Sequence, residues 1–228
     1  MSARRNARRS AAAAGGVVVI GLGRVGSQVA ITLTQLGHEV LALDRDPKVV
    51  QSLSQQLTHV VQTDSTDETA LRQLGVPDFE RVMVALGSAV EASLLTVLAL
   101  TEIGVSEIWA RASSNAHAKI LNAMGVAHVI FPEAAMGQRI GHLLVSRMLD
   151  FVEIGADFAL AKARVPGDMV GRSVAELCLW ERYGISLIGV QSPGQNFAHA
   201  HPDLVLPPDS ILIVEGTIDQ VQAFAALT

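Results

Sequence analysis

The sequence predicts an α/β fold class, a doubly wound parallel sheet followed by a small α+β domain. Three observations predict it. Short strands that are apolar on both faces alternate with helices six times between Val17 and Pro132. A G-x-G-x-x-G turn, Gly21 to Gly26, follows the first strand and opens the first helix, which makes the sheet Rossmann-like. After Asp150 the alternation gives way to strands separated by loops such as SPGQNF and HPDLVLPPDS. The composition agrees. Hydrophobic residues make up 50% of the 228 residues and aromatics only 4%, so Ala, Val, Leu and Ile must supply the core, as suits parallel strands covered on both faces.

Taken in order, VVVIGL is strand one, ended by the glycines. Val25, Val29, Ile31 and Leu33 give the following helix its apolar spacing, and Gly37 stops it. His38–Asp44 is strand two. Pro47 to Leu57 is a helix with proline near its start, where a missing N–H costs little. Thr58–Asp64 is strand three, and Thr66 to Leu74 a short helix closed by Gly75. Arg81 to Leu86 is strand four, and Val90 to Ile103 a strongly apolar helix ending at Gly104. Ser106–Ala112 is strand five, Asn115 to Met124 a helix ending at Gly125, and Ala127–Pro132 strand six.

The pattern then changes. Glu133 to Asp150 reads as one long helix, and FVEIGADFALAKARVP as strand-like. Ser173–Tyr183 reads as a helix, Ile185–Gln191 and Ile211–Gly216 as strands, and Thr217 to Ala226 as the final helix. The expected organisation is a disordered basic tail (1–16), a nucleotide-binding domain (17–149) and a C-terminal domain (150–228).

Charge narrows the function classes. The net charge is −5, and the opening MSARRNARRSAAAAGG contributes four arginines and no acid, so the body is more acidic still. An acidic body argues against nucleic acid as a partner. The tail lacks a hydrophobic pattern and reads as disordered, open to anionic lipid or an acidic partner. It is not a twin-arginine export signal, because the apolar run after it already serves as the first strand. No apolar run approaches the ~20 residues of a membrane span. The single cysteine, Cys178, allows no internal disulfide, fits a reducing compartment, and reads as core within an apolar helical pattern.

The glycine turn points to a nucleotide. Gly21 permits the tight turn, Gly23 lets backbone approach a pyrophosphate, and Gly26 lets the helix pack on the strand. Free N–H groups at the helix start attract phosphate. Asp44, at the end of strand two, sits near the ~20-residue separation of the carboxylate that accepts ribose hydroxyls. That favours a free 2′-hydroxyl, hence NAD or ATP/ADP over NADP, although Arg45 beside it could attract a 2′-phosphate. Arg24 lies where a phosphate chain would run and is either a charge-assisted phosphate contact or an exposed helix-start cation.

No catalyst accompanies the turn. A dehydrogenase needs an acid/base residue beside the nicotinamide. The segment after Asp150 offers only His199 and His201, in a proline-rich loop where solvated histidines are the plain reading. Nothing has zinc-site spacing, and no G-K-[ST] follows the glycines to make a P-loop. An NAD-dependent oxidoreductase stays as the alternative to a non-catalytic nucleotide sensor.

VVVIGLGRVG, LGHEVLALDRD, TDSTDETALRQLGV, VALGSAVEASLLT, EIWARASSNAHAKIL and FPEAAMGQRI together resemble the RCK (regulator of conductance of potassium) domains of KtrA/TrkA-type potassium uptake regulatory subunits. YGISLIGV and PPDSILIVEG resemble the C-terminal, TrkA-C, domain of that family, so the likeness runs from Val17 to the end. The resemblance implies a regulatory, non-enzymatic protein that binds ATP/ADP or NAD/NADH. It implies dimers assembled into a homo-oligomer, often an octameric ring, docked on the cytoplasmic side of a membrane-embedded potassium translocator. By the same resemblance Gly21, Gly23, Arg24, Val25 and Gly26 hold phosphates, and Asp44, Arg45 and Asp46 face the ribose. Asp64 and Ser65 lie at the adenine edge. Leu86, Gly87 and Ser88 follow strand four beside the ligand, and Arg111, Ala112, Ser113 and His117 close the site after strand five. Arg111 stands where relatives have lysine. By plain reading His117 only caps or solvates its helix, and Glu133 only favours a helix N-terminus. The family reading makes Glu133 a ligand for a divalent cation, Mg or Ca, or for the phosphate end. It also makes the helix over 133–149 a crossover between two subunits, where length alone allows an ordinary packed helix. Some relatives bind cyclic di-AMP in the C-terminal domain.

Overall fold

The computed structural model describes residues 15–228. The predicted basic tail lies, apart from its last two residues, outside the described residues. Two compact units divide the chain, one running to Pro132 and the other covering Glu133–Thr228.

The first unit is the doubly wound sheet. Its strands are β1 (Val17–Ile20), β2 (Val40–Asp44), β3 (His59–Gln62), β4 (Arg81–Val84), β5 (Glu107–Arg111) and β6 (His128–Ile130). They lie in the order β3-β2-β1-β4-β5-β6, every pair parallel. The chain winds outward from β1 to β3 and then returns to β4 on the other side of β1. Ligands of such sheets bind at that reversal, beyond the carboxyl ends of β1 and β4. The intervening helices are α1 (Arg24–Gln35), α2 (Pro47–Leu53), α3 (Glu68–Gln73), α4 (Val90–Glu102) and α5 (Asn115–Ala123).

The strands are apolar on both faces because both faces are covered. Val18, Ile20, Leu41, Leu43, Val82 and Val84 enter one core with Val97 and Leu100 of α4 and Leu121 of α5. Val19, Ala42 and Met83, the alternate positions, enter a second core with Ala30 of α1 and Leu53 of α2. Successive side chains of a strand point to opposite faces, so a single apolar run feeds both layers.

The second unit opens with α6 (Pro132–Val145). The long helix expected over Glu133–Asp150 therefore ends earlier, and Asp150 is already in β7 (Asp150–Ile154). The physical reason is pairing: Leu149 N–H donates to the Lys162 carbonyl at 2.8 Å, and Asp150 sits opposite Lys162, so the segment begins a ladder with β8 (Phe158–Arg164). The strand-like FVEIGADFALAKARVP is a hairpin turning at Gly155, whose φ is +83°.

The expected single helix over Ser173–Tyr183 is two, α7 (Val174–Leu177) and α8 (Leu179–Tyr183), broken at Cys178. Cys178 has φ +45°, left-handed, and its side chain is exposed. The core role expected for it is thus incorrect: the break turns Cys178 outward while Leu177 and Leu179 on either side are buried. β9 (Ser186–Gln191), β10 (Ala198–His199) and β11 (Ile211–Thr217) complete an antiparallel sheet in the order β10-β9-β11-β8-β7. β10 was expected as loop, since two residues carry no periodic signal. α9 (Ile218–Ala225) closes the unit, started by a capping box in which Thr217 and Gln220 satisfy each other's backbone N–H.

Gly26 shows how tightly α1 is seated. A Cβ there would lie 1.9 Å from the Gly21 carbonyl oxygen and 3.0 Å from the Ala85 Cβ. The clash is with backbone and cannot be relieved by a rotamer. Gly26→Ala is expected to lower stability by about 1–3 kcal/mol, even after the ~1 kcal/mol that alanine adds in helix propensity. A urea unfolding midpoint unchanged from the parent would contradict that packing.

Candidate functional site

The carboxyl ends of β1 to β5 bring the predicted residues of the first unit to one edge of its sheet, while Glu133 belongs to the second unit. Gly21 leaves β1 with φ +87°, and a side chain there would strike Leu86 Cδ2 at 2.7 Å. Its N–H still continues the sheet, donating to the Leu43 carbonyl at 2.8 Å. Gly23 is the N-terminal flank of α1, with Arg24 and Val25 in the first turn. Its φ is −65°, and a Cβ on it would meet no atom within 4 Å. Neither backbone conformation nor internal packing requires glycine at 23, whereas both Gly21 and Gly26 are required by the fold. Gly23 offers no side chain to cap α1, and the positive end of a helix dipole suits an anion.

Asp44 spans two turns. Its Oδ2 accepts the Leu22 N–H at 2.6 Å, and its Oδ1 accepts the Asp46 N–H at 2.9 Å. The carboxylate at the end of β2 thereby fixes the middle of the glycine turn as well as its own loop. Asp46 is the N-cap of α2, accepting the Lys48 N–H at 2.8 Å. Arg45, exposed between them, receives a 3.3 Å bond from Gln62 Nε2 at its carbonyl. Asp64 accepts the N–H and the hydroxyl of Thr66 at 2.9 and 2.7 Å. Those two bonds, with a smaller contribution from Arg45, hold its carboxyl below the usual carboxylate range.

Ser65, expected at the adenine edge with Asp64, has its hydroxyl engaged within the protein. It is buried, and its Oγ lies 2.8 Å from Thr96 Oγ1 on α4. The bond ties the loop after β3 to the helix after β4. Thr96 was not singled out from sequence; its position in an apolar helix gives no local sign of the partnership.

Leu86, Gly87 and Ser88 form the turn after β4. A Cβ on Gly87 would fall 2.7 Å from Arg111 Cζ, so the guanidinium at the end of β5 lies flat against this glycine. Ala112 is buried, and its N–H donates to the Ile130 carbonyl at 2.9 Å. Ser113 follows, then Ser114, which caps α5 by accepting the His117 N–H at 3.1 Å.

His117 is 1% exposed. Its Nδ1 lies 3.3 Å from the Ser113 nitrogen and 3.4 Å from Ser113 Oγ. A backbone N–H can only donate, so Nδ1 is the acceptor and the ring proton sits on Nε2. Among the described residues that Nε2 has no partner. Burial pushes the imidazole below its ordinary value of 6.5 and favours the neutral ring. The energetics do not favour histidine: a long neutral hydrogen bond contributes about 0.5–1.5 kcal/mol, and an orphaned buried donor costs about 1–3.

Glu133 stands in the first turn of α6, where its charge complements the helix dipole. Among the described residues no group of three or more His, Cys, Asp or Glu side chains converges as a metal site. His199 and His201 are both exposed. Among the described residues no helix is long and apolar enough to cross a membrane.

A doubly wound parallel unit with a glycine turn at its reversal, followed by a small antiparallel α+β unit, defines a two-part α/β protein of Rossmann-like class. Comparison with known proteins names the family. The TrkA-N domain family matches residues 17–132 and the TrkA-C domain family residues 160–228, and the chain belongs to this TrkA-N/TrkA-C family. It is 34% identical to Ktr system potassium uptake protein C of Bacillus subtilis (strain 168), over 90% of this chain and 94% of that protein. It is 30% identical to Ktr system potassium uptake protein A of the same organism, over 90% and 93%. The solved GsuK channel bound to NAD shares the fold with a TM-score of 0.62 at 20% identity. That match covers 94% of this chain and 40% of the channel chain, so this chain spans less than half its length.

The neutral, buried state of His117 has a pH consequence. A folded-state value below 6.5 means the unfolded chain binds the proton more readily. The stability this gives is fully present above 6.5 and is lost as pH falls. His117→Leu removes that loss and the orphaned donor together. Its thermal midpoint is expected to equal or exceed the parent's at pH 7 and to fall less on acidification to about pH 5. A variant clearly less stable at pH 7 would contradict the assignment.

Proposed function

We propose that this chain is the regulatory subunit of a Trk/Ktr-type potassium transporter. It binds an adenine nucleotide across the reversal of the parallel sheet and changes shape with the nucleotide held. The change is passed to a membrane-embedded potassium translocator against whose cytoplasmic face the subunit docks. The names of the B. subtilis relatives, two Ktr potassium uptake proteins, support the transport system. The NAD held by the GsuK channel, a protein of the same fold, supports the ligand class.

The single observation that carries the ligand reading is the contrast among the three glycines. Two are demanded by the chain's own packing, and Gly23 is not. A residue without a side chain at an uncapped helix start, with Arg24 next to it, is suited to a phosphate chain. Asp44 on the neighbouring strand is placed for the ribose, and the backbone of Asp64 and Ser65 for the adenine. Gly87 and Arg111 line the far side, with Arg111 supplying positive charge.

The proposed assembly is a homo-oligomer of dimers, in the form of a ring. Exposed apolar side chains support self-association on two elements: Leu95 and Leu98 of α4, and Met136, Ile140 and Leu144 spaced four apart along α6. In this reading Glu133 helps to hold a divalent cation or the phosphate end of the nucleotide where two copies meet. The organisation proposed is residues 17–149, including the connecting helix, as the nucleotide-binding part and 150–228 as the C-terminal part.

Titration calorimetry of the purified full chain against ATP, ADP, NAD and NADH tests the ligand class. At least one is expected to bind at micromolar concentration, and heats absent for all four would overturn the reading. Arg24 distinguishes among them. A charge-assisted bond contributes about 1.5–3 kcal/mol, so Arg24→Ala is expected to weaken ATP roughly 10- to 100-fold and ADP far less. Equal losses for both nucleotides would remove Arg24 from reading the terminal phosphate.

A further inference from the structure

His117 is unexplained by packing and by the nucleotide contacts proposed above. It is buried beside the site, keeps one polar edge without a partner among the described residues, and turns the other toward the backbone of Ser113. A leucine would fill the same helix position without the orphaned donor. What an apolar residue could not do is accept the Ser113 N–H.

We infer that His117 is a positioning residue for the nucleotide site: its Nδ1, accepting the Ser113 N–H, holds the turn after β5 in the conformation that presents Arg111 and Ser113 to the ligand. The inference rests on the proposed nucleotide reading and gives His117 a role without direct contact to the nucleotide. Arg111, Ala112, Ser113 and Ser114 are consecutive. Ala112 is fixed from one side by its bond to Ile130. Ser114 is fixed from the other by capping α5 through the His117 N–H. Between those two anchors Ser113 has the imidazole as its backbone partner, at 3.3 Å. His117 therefore bonds this turn twice, by its own N–H to Ser114 and by its ring to Ser113. The first bond survives any substitution at 117, because it is made by backbone. The second is specific to a side chain with an acceptor at the Nδ1 position.

Protonation converts that acceptor into a donor and sets it against the Ser113 N–H. Binding is thus predicted to weaken in acid through this one ring. α5 packs against α4, whose titratable groups are Glu91 and Glu102, and against β6, which carries His128. Glu107 and Arg111 lie on the strand before it, and Lys119 on its own helix. All of these are common to the parent and to variants at 117, as are the phosphates of the ligand, so the difference between proteins isolates His117.

The test uses the full chain, with ADP as the probe, in titrations between about pH 5.5 and pH 7.5. His117→Asn places an oxygen acceptor where Nδ1 stands and does not titrate; His117→Leu removes the acceptor. At pH 7.5 His117→Asn is expected to bind within about twofold of the parent, and His117→Leu roughly tenfold more weakly. On acidification the parent is expected to lose more affinity than His117→Asn. Equal affinity of all three proteins across the range would overturn the inference. So would weak binding by both variants, which would make the imidazole a direct contact or a packing element, or an asparagine variant with the parent's pH profile, which would place the titrating group elsewhere. Failure of the parent to bind ADP, ATP or NADH at pH 7.5 would overturn the nucleotide reading itself and this inference with it.

Discussion

The approach of α1 to the turn after β1 is the constraint on which the rest of the site depends. The Gly21 carbonyl sits where a side chain on Gly26 would have to be, so the helix begins almost in contact with the end of the strand. That closeness aims the uncapped N–H groups of α1 across the reversal between β1 and β4. It also leaves Leu22 at the crest of the turn, within reach of the Asp44 carboxylate at 2.6 Å. A wider turn would loosen the helix start, break the Asp44 tie and separate the end of β2 from the glycine turn. The two required glycines build the platform, whereas no neighbour restricts a side chain at Gly23.

The second half of the site is organised by pairs that reach between turns. Ser65 bonds Thr96, the Arg111 guanidinium lies against Gly87, and His117 holds Ser113. The first two pairs link a turn after one strand to a helix or strand end elsewhere, and the third ties the turn after β5 to the helix that follows it. A ligand lying across these turns would contact several at once, so its phosphate count or charge could shift the preferred arrangement. A nucleotide changes the shape of a protein only by the difference in its affinity for two arrangements. Turns held by single hydrogen bonds differ in energy by the small amounts that such a difference can supply.

Much of the first unit was legible in the sequence, because its signals are local. The apolar runs at Val17, Val40, Arg81 and Glu107 are strands for reasons contained in a few residues, and the glycines after the helices mark their ends. Gly21, Gly23, Gly26 and Asp44 do gather at one edge. What was not legible depends on partners distant in sequence. The hydroxyl of Ser65 turns inward because Thr96 lies 31 positions away in the chain. The helix after Pro132 stops at Val145 because the residues beyond it pair with β8, which outweighs their helical pattern. Cys178 faces outward because a left-handed residue splits the helix there, and nothing in LCLW announces the break. The importance of Gly87 likewise depends on where the Arg111 side chain lies.

The central claim is that the nucleotide is held to change posture and is not consumed. Small-angle scattering of the purified chain, recorded with saturating ATP and again with saturating ADP, and followed by chromatographic recovery of the nucleotide, tests it most directly. The account predicts two different scattering profiles and ATP returned intact. Identical profiles with every nucleotide, or steady conversion of ATP by the isolated chain, would contradict it.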